Sequence, residues 1–389
     1  MNNTIKLAVA SALLAAASTA SAAGGIVAGD WTLDIGGVVN AYYTSTKVSG
    51  TAANSTGTST ASNITTGLLP NYLSVSGKTR QNDLDVAFTI SINPGASTQN
   101  SGNQSAQQEN RQAFLTFGDA SWGSMKLGKD IGIYAQDAIL NDMTLLGVGH
   151  SAGALTGNTT TLGAIGAGYM YADWKSQVAY TSPNFNGFSF TAGVTQAFDV
   201  DTAGTGNFVT AAGTSTPRGG KEPAFEAKAS YAFAGDVSGK VWASGISQNL
   251  EEYNVTGNAW DLGANVSMAG FGLTGYYGEG KGTGMTVQFA GAVDSAGQKQ
   301  DSSDWYLQAT YTLPGVGTKL GARYGESDLD INAVDGGGQV QREMWVVGAY
   351  HPLTKHLNLV AEYADTKNIA ADNTSGKAKT VSLGAILFF

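Results

Sequence analysis

Apolar and polar residues alternate along most of this chain. Between residues 83 and 92, Leu84, Val86, Phe88, Ile90 and Ile92 share one side of an extended segment, and Asp83, Asp85, Ala87, Thr89 and Ser91 share the other. A period of two is the signature of a strand, because successive side chains leave it on opposite faces. The same split recurs with Phe188, Phe190, Ala192 and Val194, with Phe225, Ala227, Ala229, Tyr231 and Phe233, and with Trp305, Leu307, Ala309, Tyr311 and Leu313. Helical periodicity is scarce. The pattern predicts sixteen strands, starting near Trp31, Asn71, Asp83, Arg111, Gly123, Ser176, Phe188, Pro223, Lys240, Ala259, Phe271, Ser303, Thr318, Arg342, Asn358 and Lys379.

The connections carry a second rhythm. Long links (44–69, 95–110, 131–173, 198–222, 249–258, 279–301, 328–340 and 367–376) alternate with short ones such as 182–187, 234–239, 314–317 and 354–356. A soluble sandwich has no reason to put every long loop at one end. A transmembrane barrel does, with short turns on one side, long loops on the other and an even strand number. Hydrocarbon supplies no partner for backbone N–H and C=O groups, so a sheet within it must close on itself. The fold class expected is therefore all-β, a transmembrane antiparallel β-barrel of sixteen strands with a polar lumen. Trp31, Tyr42, Tyr43, Trp122, Tyr180, Trp305, Tyr350, Phe388 and Phe389 fall at strand ends, where interfacial girdles are expected.

The first 22 residues read differently. Lys6 precedes an apolar run over 7–17 and the small residues Ala20-Ser21-Ala22, the layout of a cleaved secretory signal. The run is too short to span a bilayer, and nothing downstream approaches the ~20 apolar residues of a membrane helix. The expected organisation is a signal peptide over 1–22 and one barrel over 23–389.

Composition narrows the function classes. Of 389 residues, 42% are hydrophobic and only 13% charged, with 53 Gly and no Cys. The lack of Cys excludes disulfide frameworks, thiol catalysis and Cys-ligated metals. With 21 Lys and Arg against 30 Asp and Glu, the chain lacks the cationic surface that nucleic acid requires. Three His, at 150, 351 and 356 with no H-E-x-x-H, suggest no metal site, and no cofactor is expected.

Three stretches bear a resemblance. The chain ends Leu387-Phe388-Phe389, similar to the terminal Phe of Gram-negative outer-membrane proteins. Residues 180–188, Tyr-Thr-Ser-Pro-Asn-Phe-Asn-Gly-Phe, resemble a turn of the neisserial and burkholderial-type general-diffusion porins, and residues 122–129, Trp-Gly-Ser-Met-Lys-Leu-Gly-Lys, resemble the strand before their third loop. The resemblance implies sixteen strands, a homotrimer in outer-membrane lipid, and a third loop, here 131–173, folded into the pore as its constriction. Lys129 and Ala179 stand where that family often has Arg.

The working part of such a channel is its narrowest ring, where charged groups set which solutes pass. Asp130, Asp137 and Asp142 lie at the start of the third-loop segment. Strand parity turns Lys78, Arg80, Lys126, Lys228, Lys319 and Arg323 toward the lumen, along with the acids Asp34, Asp83, Asp85, Glu226, Asp261 and Glu362. The expected function is passive diffusion of small hydrophilic solutes and ions, with a mild preference for cations drawn from the loop acids.

Other readings compete. A substrate-specific outer-membrane channel would share the same barrel. A secreted, soluble β-rich protein for adhesion or carbohydrate binding fits the composition, but not the alternation of loop lengths. Residues 149–153, Gly-His-Ser-Ala-Gly, match G-x-S-x-G, with Ser151 as nucleophile and His351 or His356 as base. That elbow needs a following helix and a parallel sheet, which this sequence lacks. Residues 275–281 approach a phosphate loop, but Gly282 replaces the Ser or Thr that would hold magnesium. The chain is not expected to be an enzyme.

Overall fold

The computed structural model describes residues 25–50, 60–97, 108–150, 160–200 and 220–389. The segment read as a signal peptide, and Ser151, lie outside the described residues. Sixteen antiparallel strands run in chain order: β1 (Trp31–Gly50), β2 (Tyr72–Gln81), β3 (Leu84–Pro94), β4 (Ala113–Asp119), β5 (Gly123–Ile131), β6 (Trp174–Thr181), β7 (Phe188–Thr195), β8 (Ala224–Phe233), β9 (Ser238–Leu250), β10 (Val255–Met268), β11 (Phe271–Lys281), β12 (Asp301–Thr312), β13 (Lys319–Asp330), β14 (Gln339–Pro352), β15 (Leu357–Ile369) and β16 (Ser375–Phe388). Each pairs with its sequence neighbours, and β16 pairs back onto β1 from Gly376 opposite Gly50 to Phe388 opposite Val38. The ring is closed, so it has no free edge. Three short segments add to it: Ile26–Ala28 on the start of β1, Thr60–Thr65 on its loop-end half, and Gln108–Glu109 on the end of β3.

All sixteen predicted strands are present, and most begin within two residues of the expected position. The largest offsets are at β10, which begins at Val255, and β16, which begins at Ser375. Beyond the hydrocarbon both faces of a strand are wet, so alternation fades while pairing continues. Some loops expected to be long are consequently short: only residues 251–254 separate β9 from β10, and 370–374 separate β15 from β16. The contrast between the two ends of the barrel is weaker than the sequence suggests.

The outer surface is apolar, with Phe225, Leu262, Leu273, Leu307, Val347 and Leu383 exposed on the ring, as a lipid-facing wall requires. Toward the loop end, Trp260, Tyr277, Trp305, Tyr324, Trp345 and Tyr363 occupy successive strands from β10 to β15. Their rings lie 5.9 Å (Trp260–Tyr277), 5.4 Å (Trp305–Tyr324) and 5.1 Å (Trp345–Tyr363) apart. Tyr42 and Tyr350, expected in the girdle, instead point inward and are buried. Among the described residues, no helix is long and apolar enough to cross a membrane.

The interior is not simply wet. Residues 132–150 and 160–173, between β5 and β6, are folded inside the ring with one short helix, α1 (Gln136–Leu140), and a 3-10 turn at Met143–Leu146. Two further segments turn inward against them. Leu68 N donates to Gly147 O at 2.9 Å and Thr161 N donates to Gly67 O at 3.0 Å, joining the β1–β2 link to the third loop. Tyr171 N donates to Thr286 O at 2.8 Å, and Gln288 Nε2 donates to Tyr171 O at 3.1 Å, joining the β11–β12 link to its other side. Neither contact is visible in the sequence pattern. Lumenal Trp242, Ile246, Tyr276, Tyr306, Met344 and Val346 form a packed core with these loops.

Candidate pore constriction

The third loop is tied to the wall chiefly through its backbone. On β8, the Glu226 carboxylate accepts from Ile133 N (2.7 Å), Tyr134 N (2.8 Å) and Thr195 Oγ1 (2.8 Å), and pairs with Lys175. Lys175 and Glu226 are wholly buried, so each supplies the countercharge the other needs in a region without water. On β15, Glu362 accepts from Val148 N (2.7 Å), Gly149 N (2.9 Å) and Tyr350 OH (2.6 Å). Between these clamps, Gln308 on β12 accepts from Met143 N at 2.7 Å and donates to Asn141 O at 2.9 Å. The strand parity that points these side chains inward thus fixes a loop whose own sequence has no regular pattern.

Against β1–β5 the loop leaves an opening. It is lined from the wall by Asp34, Tyr72, Ser74, Ser76, Thr89, Gln112, Phe114 and Asp130, from α1 by Gln136, Asp137 and Leu140, and from the far side by Lys228 and Lys240. Asp137 lies 3.4 Å from Lys228 Nζ and forms a closer pair with Lys240. Burial works to raise the Asp137 carboxyl, but the two ammonium groups outweigh it and hold the group below its usual range. Lys126 pairs with Asp130, which also accepts from Gln112 Nε2 at 3.1 Å, and the Lys126 ammonium stands 4.9 Å from the centre of the Phe114 ring.

The predicted residues therefore separate into three groups. Asp130, Asp137, Lys126 and Lys228 meet around the opening. Asp142 and Arg323 meet elsewhere: both are fully buried behind the loop, 3.5 Å apart. There Asp142 accepts from Tyr169 OH at 2.7 Å, and the Arg323 guanidinium lies over Tyr306 at 4.6 Å and donates to Ala167 O at 3.0 Å. Lys78, Arg80 and Lys319 sit toward the turn end. Arg80 pairs with Asp85 (2.8 Å) and Asp119 (2.9 Å), and Lys319 lies 5.2 Å from the Tyr350 ring. Asp83 is a turn residue with φ 63°, rather than a wall carboxylate. Lys129 faces outward and donates to Asn110 O at 2.9 Å.

Lys240 was missed, although Val241 on the lipid face places its neighbour in the lumen. His351, near the end of β14, meets Thr318 Oγ1, just before β13, at 2.9 Å. The phosphate-loop look-alike at 275–281 is an extended part of β11. Among the described residues no cluster of three His, Asp or Glu side chains could hold a metal.

An outward-apolar closed barrel with a polar opening beside an inserted loop defines a transmembrane channel. The chain matches the family model described as Gram-negative porin over residues 8–371. It belongs to the Gram-negative porin family, and its place is the outer membrane. No curated protein matches it in sequence. Among solved structures, the anion-selective porin from Comamonas acidovorans aligns with 92% of this chain and all of its own, at 15% identity and a TM-score of 0.64. The outer-membrane channel DcaP of Acinetobacter baumannii aligns with 94% of this chain and all of its own, at 15% identity and 0.64. The trimer form of in-vitro folded OmpT from Vibrio cholerae aligns with 92% of this chain and 99% of its own, at 13% identity and 0.56. These likenesses establish the fold.

Proposed function

We propose that the protein is a passive, trimeric diffusion channel for small hydrophilic solutes and ions, exported through a signal peptide over residues 1–22 that is cleaved to leave a barrel over 23–389. The observation that carries this reading is the opening between α1 and the wall of β1–β5, lined by hydroxyls, two amides and charges inside a ring whose outside is apolar. A polar passage through a low-dielectric slab supplies the water and the charges that a hydrophilic solute would otherwise lose. Asp130, Asp137, Lys126 and Lys228, joined by Lys240, set the ion preference.

That preference is slight and toward cations. Asp34, Asp130 and Asp137 oppose Lys228 and Lys240 at the lining, and Lys126 pairs with Asp130 from behind. The trimer reading is supported by the interrupted girdle. Toward the loop end of β2–β5 the outward side chains are aliphatic (Leu73, Ile90, Ile92, Leu115), where β10–β15 carry aromatics. Purified detergent-extracted protein in planar bilayers tests the reading. Long-lived ohmic steps in groups of three, a small cation-side reversal potential in a salt gradient, and a processed N-terminus at Ala23 are expected. A membrane-extracted barrel that does not conduct would overturn the channel.

A further inference from the structure

On β5, Lys126 and Asp130 both face the lumen, four residues apart, and form an ion pair. Their spacing is about 13 Å of strand, near the full reach of the two side chains laid end to end. The position between them is Gly128, with φ 124°, where a Cβ would press on the Ala113 carbonyl oxygen and lie 2.7 Å from the Phe114 Cα. The lysine therefore stretches along the strand over a bare backbone. Phe114 stands directly opposite Gly128 on β4, and the Lys126 ammonium meets Asp130 at 4.9 Å from the centre of that ring. Gln112 Nε2 holds the other carboxylate oxygen at 3.1 Å. On this wall the opening is lined by Gln112, Phe114 and Asp130, so a passing ion meets the ring rather than the ammonium.

We propose that Phe114 is a positioning residue for the ion preference of the channel: its ring holds Lys126 against Asp130 and so keeps a third ammonium out of the opening that Lys228 and Lys240 already line. The proposal rests on the diffusion-channel reading and names a residue that tunes it. A stretched lysine gives up its rotamer freedom. Its side chain is still 28% exposed, so water screens the pair, and such a pair favours the closed state by a factor of only ~1.4–5. A ring face under the ammonium adds a factor of about 2–5, in the one geometry where the charge also meets Asp130. Without the ring the ammonium swings into the lumen more often, and a passing ion meets a more positive wall.

The test is the cation-to-anion permeability ratio, from reversal potentials in a potassium chloride gradient. The proteins are the wild type, Phe114→Leu, Phe114→Met, Phe114→Tyr, Lys126→Met and the double variant Phe114→Leu/Lys126→Met. Folding of each is gauged by its heat-dependent shift in gel mobility. Phe114→Leu and Phe114→Met are expected to lower the ratio roughly twofold from wild type, the lower end of what one cation–π contact supplies, and either folded variant suffices. Phe114→Tyr keeps the ring face and is expected to keep the wild-type ratio. On the Lys126→Met background, Phe114→Leu is expected to change nothing, because the ring acts only through the ammonium. A wild-type ratio in the folded non-aromatic variants, an equal loss in Phe114→Tyr, or an equal change on the Lys126→Met background would overturn the proposal while leaving the channel intact. Absence of ion conductance in the wild type would instead overturn the channel reading itself.

Discussion

Gly37 and Phe389 exchange backbone hydrogen bonds, Gly37 N to Phe389 O at 2.9 Å and Phe389 N to Gly37 O at 3.1 Å. They extend the β16–β1 seam by one rung beyond Phe388. A Cβ on Gly37 would lie 2.7 Å from the Phe389 ring and press on the Tyr72 carbonyl, so this rung admits no side chain. Gly37→Val is expected to weaken the seam by about 1–3 kcal/mol, as overpacking does. The measurement is the urea midpoint of the gel-mobility shift. A midpoint equal to wild type would show that the rung does not hold the ring.

The Lys175–Glu226 pair makes a different prediction. Glu226→Gln leaves a buried ammonium without its countercharge and is expected to cost about 3–5 kcal/mol. Combining it with Lys175→Met removes the orphaned charge, and the double variant is expected to be more stable than the single one. Equilibrium unfolding of the three proteins decides, and additive losses would contradict the pairing.

Ion preference is expected to move with the Asp137 clamp. Asp137→Asn leaves Lys228 and Lys240 uncompensated at the lining and should shift the reversal potential toward anions. Lys240→Met should shift it toward cations. Shifts of the same sign in both variants would remove Asp137 and Lys240 from the conducting path.

His150 gives the loop a pH dependence. It is buried beside Gly163, and burial, aided by the Arg342 charge, pushes its imidazole down to about 3 from the usual 6.5. Below about 6.5 the unfolded chain takes up a proton that the folded chain resists. Its contribution to stability is therefore complete above that pH and is lost as the pH falls toward 3. His150→Gln should flatten the melting temperature between pH 6.5 and 4 relative to wild type. Parallel pH profiles would exclude the imidazole as the cause.

The lipid-facing half of this molecule was legible in the sequence because hydrocarbon imposes one rule on every strand. Leu84, Phe188, Phe225 and Trp305 all face outward as their alternation predicts. The lumenal half obeys a local rule instead. Where the inserted loops pack, inward positions become a dry core, so Tyr42, Trp242 and Val346 break the polar-inside expectation. Asp142, in the third loop, and Arg323, inward by strand parity, both lie inside the ring, but neither loop position nor parity distinguishes an opening from a packed interior. Only the positions of the loops separate these two residues from Asp137 and Lys228.

The third loop is clamped to the wall from β8 round to β15, and the opening lies against β1–β5. The conducting path therefore lies off the barrel axis, against the same strands whose outward face lacks the loop-end aromatic belt. If those faces meet in the proposed trimer, three eccentric paths run close to a common centre and ions leaving one mouth enter the field of the next. Conductance per protomer would then depend on whether its neighbours are open, a coupling that arises from placement alone.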